Sequence, residues 1–221
     1  NPKLSDATGW FRYSTTSPGS CNDAFGTRAP SAGGTALGNG GAAVLVWLGK
    51  ASDLEMLLQH DWVLPHELIH FALPNLPPRH TWLEEGTATY VEPVTRTRAG
   101  EMSVDDFWRQ MIEKLPQGLP EKGDRGLDRT PTWGRTYWGG ALFCFLADVE
   151  LRKKGKSLDA ALKGVVAAGG TQETKWDLAR VWKAGDAATQ TTVLSTLHAQ
   201  LGDKPGTVNL DAVFKQLGVS I

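Results

Sequence analysis

Two short stretches carry residues whose types and spacing can do chemistry: His66-Glu67-Leu68-Ile69-His70 and, a little downstream, Trp82-Leu83-Glu84-Glu85-Gly86. Residues four apart on a helix share a face, so His66 and His70 can aim their imidazoles at one point while Glu67 flanks it. Structural zinc sites close with four protein ligands, whereas catalytic ones use three and leave a position for water. Two histidines and one carboxylate from a second helix would make the three-ligand kind. Zinc lowers the pKa of its water to about 7, and a glutamate beside that water can take its proton. The expected chemistry is hydrolysis at a carbonyl, with Zn2+ as cofactor and Glu67 as general base. Glu84 and Glu85 both qualify as the third ligand, because helix neighbours point about 100° apart and only one can face the metal. The other is left to solvent, to orienting a ligand, or to binding a substrate amine. His60, His80 and His198 have no such pattern around them and read as surface or capping residues.

The elements that must position these groups follow from the turn and periodicity signals. Residues 1 to 41 are rich in Gly, Ser, Thr, Pro and Asn, which suggests irregular structure with one or two edge strands such as Trp10 to Ser14. The Gly38 to Gly41 turn leads into a strand over Ala42 to Leu48, whose continuous apolar character reads as buried. Ser52-Asp53 looks like a helix start, and Pro65 is tolerable if the motif helix begins near Asp61 and runs to about 72. Thr81 is the expected cap of the glutamate-bearing helix, and Pro93 its expected end. Ser103 caps a further helix. Pro116 to Trp133 reads as a long loop, a common origin of site walls. Thr136 to Lys154 is the most apolar helix, closed by Gly155. Ser157, Trp176 and the leucine periodicity after 186 give the remaining helices.

Composition narrows the partners. A formal net charge of -1 over 221 residues offers no electrostatic argument for nucleic acid, and no run of eighteen apolar residues occurs to insert in a membrane. The expected partner is a peptide or protein substrate, and nothing in the sequence sets an oligomeric state. Cys21 and Cys144 form neither a disulfide framework nor a thiolate site, and Cys144 sits in the apolar run Ala141 to Leu146 as a packing residue. Asn1 at the start reads as a trimmed mature chain, which leans toward a secreted or periplasmic protein.

The pairing of His66-Glu67-x-x-His70 with Trp82-Leu83-Glu84-Glu85-Gly86 resembles the gluzincin metallopeptidases, in particular the glycyl-aminopeptidase family and more remotely the membrane-alanyl aminopeptidases. Those families read Trp-Leu-x-Glu-Gly with the glutamate before glycine on zinc, so the resemblance implies His66, His70 and Glu85 as the metal ligands. Tyr137-Trp138-Gly139-Gly140-Ala141-Leu142, running into Asp148 to Arg152, is similar to the tyrosine-bearing helix of glycyl aminopeptidases and implies Tyr137 as the oxyanion donor. The connection from His70 to Glu85 is shorter than in those enzymes. The Gly33 to Gly41 stretch, where they place an edge strand with an acidic amine anchor, contains no Asp or Glu.

The implied fold is α+β and mostly helical: a thermolysin-like zincin catalytic domain over 1-221, with an irregular or β part over 1-50 and a helical part over 51-221 that ends in a C-terminal bundle. The implied function is a zinc-dependent, aminopeptidase-like peptidase with the substrate laid along Gly38 to Leu48. The rival is a zincin-fold module that binds a peptide or protein without turnover.

Overall fold

The computed structural model describes residues 32–38, 41–49, 51, 53, 55 and 61–219. Trp10 to Ser14, Cys21, His60 and most of the helix expected after Ser52 lie outside these residues. Within them the chain is mostly helical, with eight α-helices and a two-stranded sheet. No helix among the described residues is long and apolar enough to cross a membrane.

Strand β1 (Ala32–Leu37) pairs antiparallel with β2 (Ala43–Leu48), Gly34 opposite Val46 and Thr35 opposite Leu45. The expectation of a buried strand at Ala42 to Leu48 fails. Leu45 and Leu48, on opposite faces of β2, are both exposed and no residue of β2 is buried, because a two-stranded sheet beside one helix has too few layers to cover it. Helix α1 (Val63–His70) carries the histidine motif, and Pro65 falls in its first turn, where a missing N–H breaks no intrahelical bond.

A short 3-10 turn (Pro78–His80) then feeds α2 (Thr81–Ala99), so Thr81 does not cap this helix. Its hydroxyl donates instead to the Pro78 carbonyl at 2.8 Å, and His80 stands in the cap position. The expected end at Pro93 also fails. Helix α2 runs through the proline to Ala99 and stops at Gly100, whose φ of 81° suits a left-handed cap. The residues around the proline hold the helix together: the Thr97 hydroxyl donates to the Pro93 carbonyl at 2.7 Å, and Arg96 one turn beyond Glu92 pairs with it and with Asp61.

Helix α3 (Val104–Lys114) starts at Ser103, whose hydroxyl accepts from the Asp106 amide. After a 3-10 turn (Leu115–Gly118) and a loop, the expected helix from Thr136 begins instead as a π-turn (Arg135–Gly139) that continues into α4 (Gly140–Arg152). Helices α5 (Leu158–Ala167), α6 (Leu178–Thr189), α7 (Val193–Leu201) and α8 (Leu210–Gln216) follow, with Ser157, Asp177 and Asn209 as side-chain caps of α5, α6 and α8.

The core is built on the packing of α2 against α4. Trp82 of α2 sits edge-on to Phe143 of α4 at 5.1 Å, and Trp182 of α6 packs on Phe143 at 5.3 Å. Phe145 and Phe214 extend the same cluster. The two central helices touch at Gly86 and Gly140: a Cβ on Gly140 would stand 1.9 Å from the Trp82 carbonyl oxygen. Only glycine permits this approach, and it brings Tyr137, three residues before Gly140, up to the helix that carries Glu85. Cys144 is buried in this core as expected, and burial pushes its thiol up to about 12.

Candidate active site

His66 and His70 lie one turn apart on α1, with ring centroids 5.2 Å apart, and both face α2. Their Nε2 atoms reach the same oxygen of Glu85: His66 Nε2 to Glu85 Oε2 is 3.3 Å, and His70 Nε2 to that oxygen is 3.7 Å. One ligand atom from each residue fits within a 4.8 Å group. Tetrahedral zinc with bonds of about 2.0–2.1 Å holds its ligand atoms ~3.4 Å from one another. The N, N, O donor set and its spacing therefore fit zinc. Of the two adjacent glutamates, Glu85 joins this group, while Glu84 is turned toward the chain after α1 and accepts the Leu76 amide at 3.0 Å.

Glu67 sits under β1. A Cβ on Gly34 would lie 2.6 Å from Glu67 Cγ and 3.0 Å from Val63, so the strand approaches the carboxylate this closely only because residue 34 is glycine. The Ala36 amide donates to Glu67 from the same strand. Burial raises the Glu67 carboxyl, the neighbouring His66 opposes that, and Glu85 adds to it. A carboxyl moved upward toward neutrality is better matched to exchanging protons with water and an amine. Burial lowers His70, with Glu85 opposing. Burial also pushes Glu84 up to about 7, against the Leu76 amide and with a small addition from Glu85.

Tyr137 emerges from the π-turn, a helical defect that often marks functional positions. Its hydroxyl is hydrogen-bonded to Glu85, and burial, then Glu85 and Glu67, raise its pKa, so it stays a donor across ordinary pH. On its N-terminal side the turn is anchored by Arg135, buried in an ion pair with Asp124 at 2.8 Å.

All five residues singled out in the sequence line one cleft of about 740 Å³. Its strand wall is β1, from Ala32 to Ala36, with Trp47 from β2. Of the expected substrate track along Gly38 to Leu48, Trp47 lines the cleft, and the rest of the strand wall comes from β1. Glu92, Arg96 and Gln110 close one part of the wall, and Asn75, Glu84 and Gln172 another. Burial raises Glu92, while Arg96 and then His66 favour its charged form. Of the expected loop wall only Trp133 lines the cleft. Glu92 and Arg96 were not readable as wall residues, since that depended on the helix passing Pro93.

Of the histidines expected at the surface or at caps, His80 does stand at the cap position of α2, but it is buried, and both it and His198 have a partner that the sequence did not show. His80 is 3% exposed and its Nδ1 bonds Asp128 Oδ1 at 2.8 Å, while His198 Nε2 bonds Asp128 Oδ2 at 2.8 Å. The Trp82 indole N–H donates to Asp128 Oδ1 at 2.8 Å as well. Burial would raise the Asp128 carboxyl, but these hydrogen bonds and the charge of His198 outweigh it and hold the group at about 2. No protein-family model matches the chain, and no curated protein matches it.

Proposed function

We propose that this protein is a zinc-dependent peptidase, with His66, His70 and Glu85 as metal ligands, Glu67 as general base and Tyr137 as oxyanion donor. The observation that carries the proposal is the convergence of three ligand atoms within 4.8 Å in a cleft that also holds Glu67 and Tyr137. Zinc in that position supplies a Lewis acid that polarises the scissile carbonyl and acidifies water. Glu67 removes a proton from the attacking water and returns it to the leaving nitrogen as the C–N bond breaks. The Tyr137 hydroxyl donates to the oxygen on which negative charge develops, an interaction that strengthens in the transition state. The peptide lies extended beside β1, in the manner of a strand added to a sheet. The finer fold reading belongs to the same proposal: a thermolysin-like zincin domain resembling the glycyl aminopeptidases, supported by two facing helices that share the ligand set beside a small sheet.

The test is metal analysis combined with turnover of internally quenched peptides. The purified protein should hold about one zinc per chain. Glu67→Gln should keep that zinc and lower kcat by about 10²–10⁴-fold. Tyr137→Phe should lower kcat by about 10²–10³-fold with KM nearly unchanged. A correctly folded protein that takes up no zinc would refute the proposal.

A further inference from the structure

The chain has nine tryptophans. Among the described residues only Trp62 and Trp133 are exposed, at 41% and 63%, and both line the cleft that holds Glu67. Each also lies against a residue of the proposed machinery. Trp62, in the turn before α1, meets His66 edge-on at 6.0 Å and 87°. Trp133, at the end of the loop after the 3-10 turn, leans over Tyr137 at 5.7 Å and 31°. An indole buries 150–250 Å² when covered, so leaving two of them open forgoes a large hydrophobic gain that the other described tryptophans realise at least in part. Single exposed apolar residues are unremarkable on a surface. Two in one concave site, on separate elements, mark a ligand surface.

The rest of the wall sharpens this. Glu84, Glu92, Arg96, Gln110 and Gln172 are polar, and the aromatic cover comes from Trp62, Trp133 and the Tyr137-Trp138 pair, with Trp47 on the sheet side. We infer that Trp62 and Trp133 form a subsite for an aromatic or large aliphatic side chain next to the scissile bond of the substrate peptide. The inference rests on the peptidase reading, and it adds the substrate class that the zinc ligands leave open. A side chain seated there removes indole surface from water and packs beside the ring of the oxyanion donor. Occupancy of the subsite thus holds the substrate at the place where Tyr137 acts.

The experiment compares two small zinc-directed probes, glycine hydroxamate and phenylalanine hydroxamate. Their binding to the zinc-loaded full chain is followed by calorimetry in wild type and in Glu67→Gln, where no turnover interferes. The benzyl probe should bind about tenfold tighter or better. The ratio of the two affinities should fall to within about threefold of one in Trp133→Ala and in Trp62→Ala, and Trp133→Phe should retain part of it. Trp133 is exposed, so its truncation leaves the core intact, and near-ultraviolet dichroism checks this. Equal affinities in wild type, or a ratio that survives both truncations, overturns the inference. Hydrolysis of quenched peptides without selectivity also overturns it and leaves the peptidase reading standing. Selectivity between the probes without any hydrolysis sinks the peptidase reading, and with it the placement beside a scissile bond, and leaves only an aromatic-binding site at Trp62 and Trp133.

Discussion

The molecule contains two clusters built from the same ingredients, two histidines and one carboxylate, and they have opposite characters. At His66, His70 and Glu85 the ring nitrogens stand 3.3 and 3.7 Å from one carboxylate oxygen, open to a cleft. At His80, His198 and Asp128 every contact has closed to 2.8 Å, and Trp82 donates to the same carboxylate. The His80 Nε2 is occupied too, accepting from Arg79 Nε at 2.9 Å. In the first arrangement the contacts are long, the shorter of them a hydrogen bond between His66 and Glu85 at 3.3 Å. In the second they are short. Composition therefore does not separate the proposed metal centre from a structural network; the length of the contacts and their opening onto a cleft do.

The largest expected effect tests that distinction directly. His70→Ala should abolish stoichiometric zinc binding, whereas His198→Ala should leave about one zinc per chain, as read by metal analysis after dialysis. Zinc lost from both variants, or from neither, would erase the functional difference between the clusters.

The first cluster was legible because its information is local. The i, i+4 spacing fixes a helical face, so His66, Glu67 and His70 needed no tertiary knowledge. Glu85 came from resemblance, since Glu84 beside it was equivalent until the Leu76 amide was seen to engage it. The second cluster was illegible for the converse reason: Asp128 lies 48, 46 and 70 residues from His80, Trp82 and His198. Nothing periodic links those positions. Local rules also misled at Pro93, where proline's helix-breaking tendency was overridden by ion pairs and packing around Arg96. The sheet expectation erred because an apolar run does not reveal how many layers will cover it, and here Leu45 and Leu48 stay exposed.

A second expected effect is on stability. Asp128→Asn keeps the shape but presents an NH2 where a carboxylate oxygen accepted, leaving one or more buried donors unpaired. At about 1–3 kcal/mol for each unpaired group, the variant should lose roughly 2–3 kcal/mol in denaturant melts while retaining its zinc. Glu85→Gln should do the reverse, losing zinc with little change in the stability of the metal-free chain. A metal-free stability equally sensitive to both substitutions would mean that both clusters act as structural networks.

The smallest expected effects are the pH slopes, and their signs differ between the two regions. Asp128 is held at about 2 in the folded protein, against about 3.9 for an unfolded aspartate. The folded state prefers its charged form, so this contribution is fully present above about pH 4 and disappears as pH falls toward 2. Glu84 beside the proposed metal ligands is raised to about 7, against about 4.3 unfolded. Folding here disfavours the charged form, so the metal-free protein loses stability as pH rises from about 4.3 to 7. Unfolding free energies of metal-free wild type, Asp128→Asn and Glu84→Gln between pH 2 and 8 separate the two. The gap between wild type and Asp128→Asn should narrow below pH 4, and Glu84→Gln should gain on wild type as pH rises to 8. The second trend is the more informative, because burial is the first cause of the raised Glu84 carboxyl, so the slope reports how far water is kept from this corner of the cleft. A flat Glu84→Gln difference would mean that water reaches this corner freely, and that the first cluster is more open than its geometry implies.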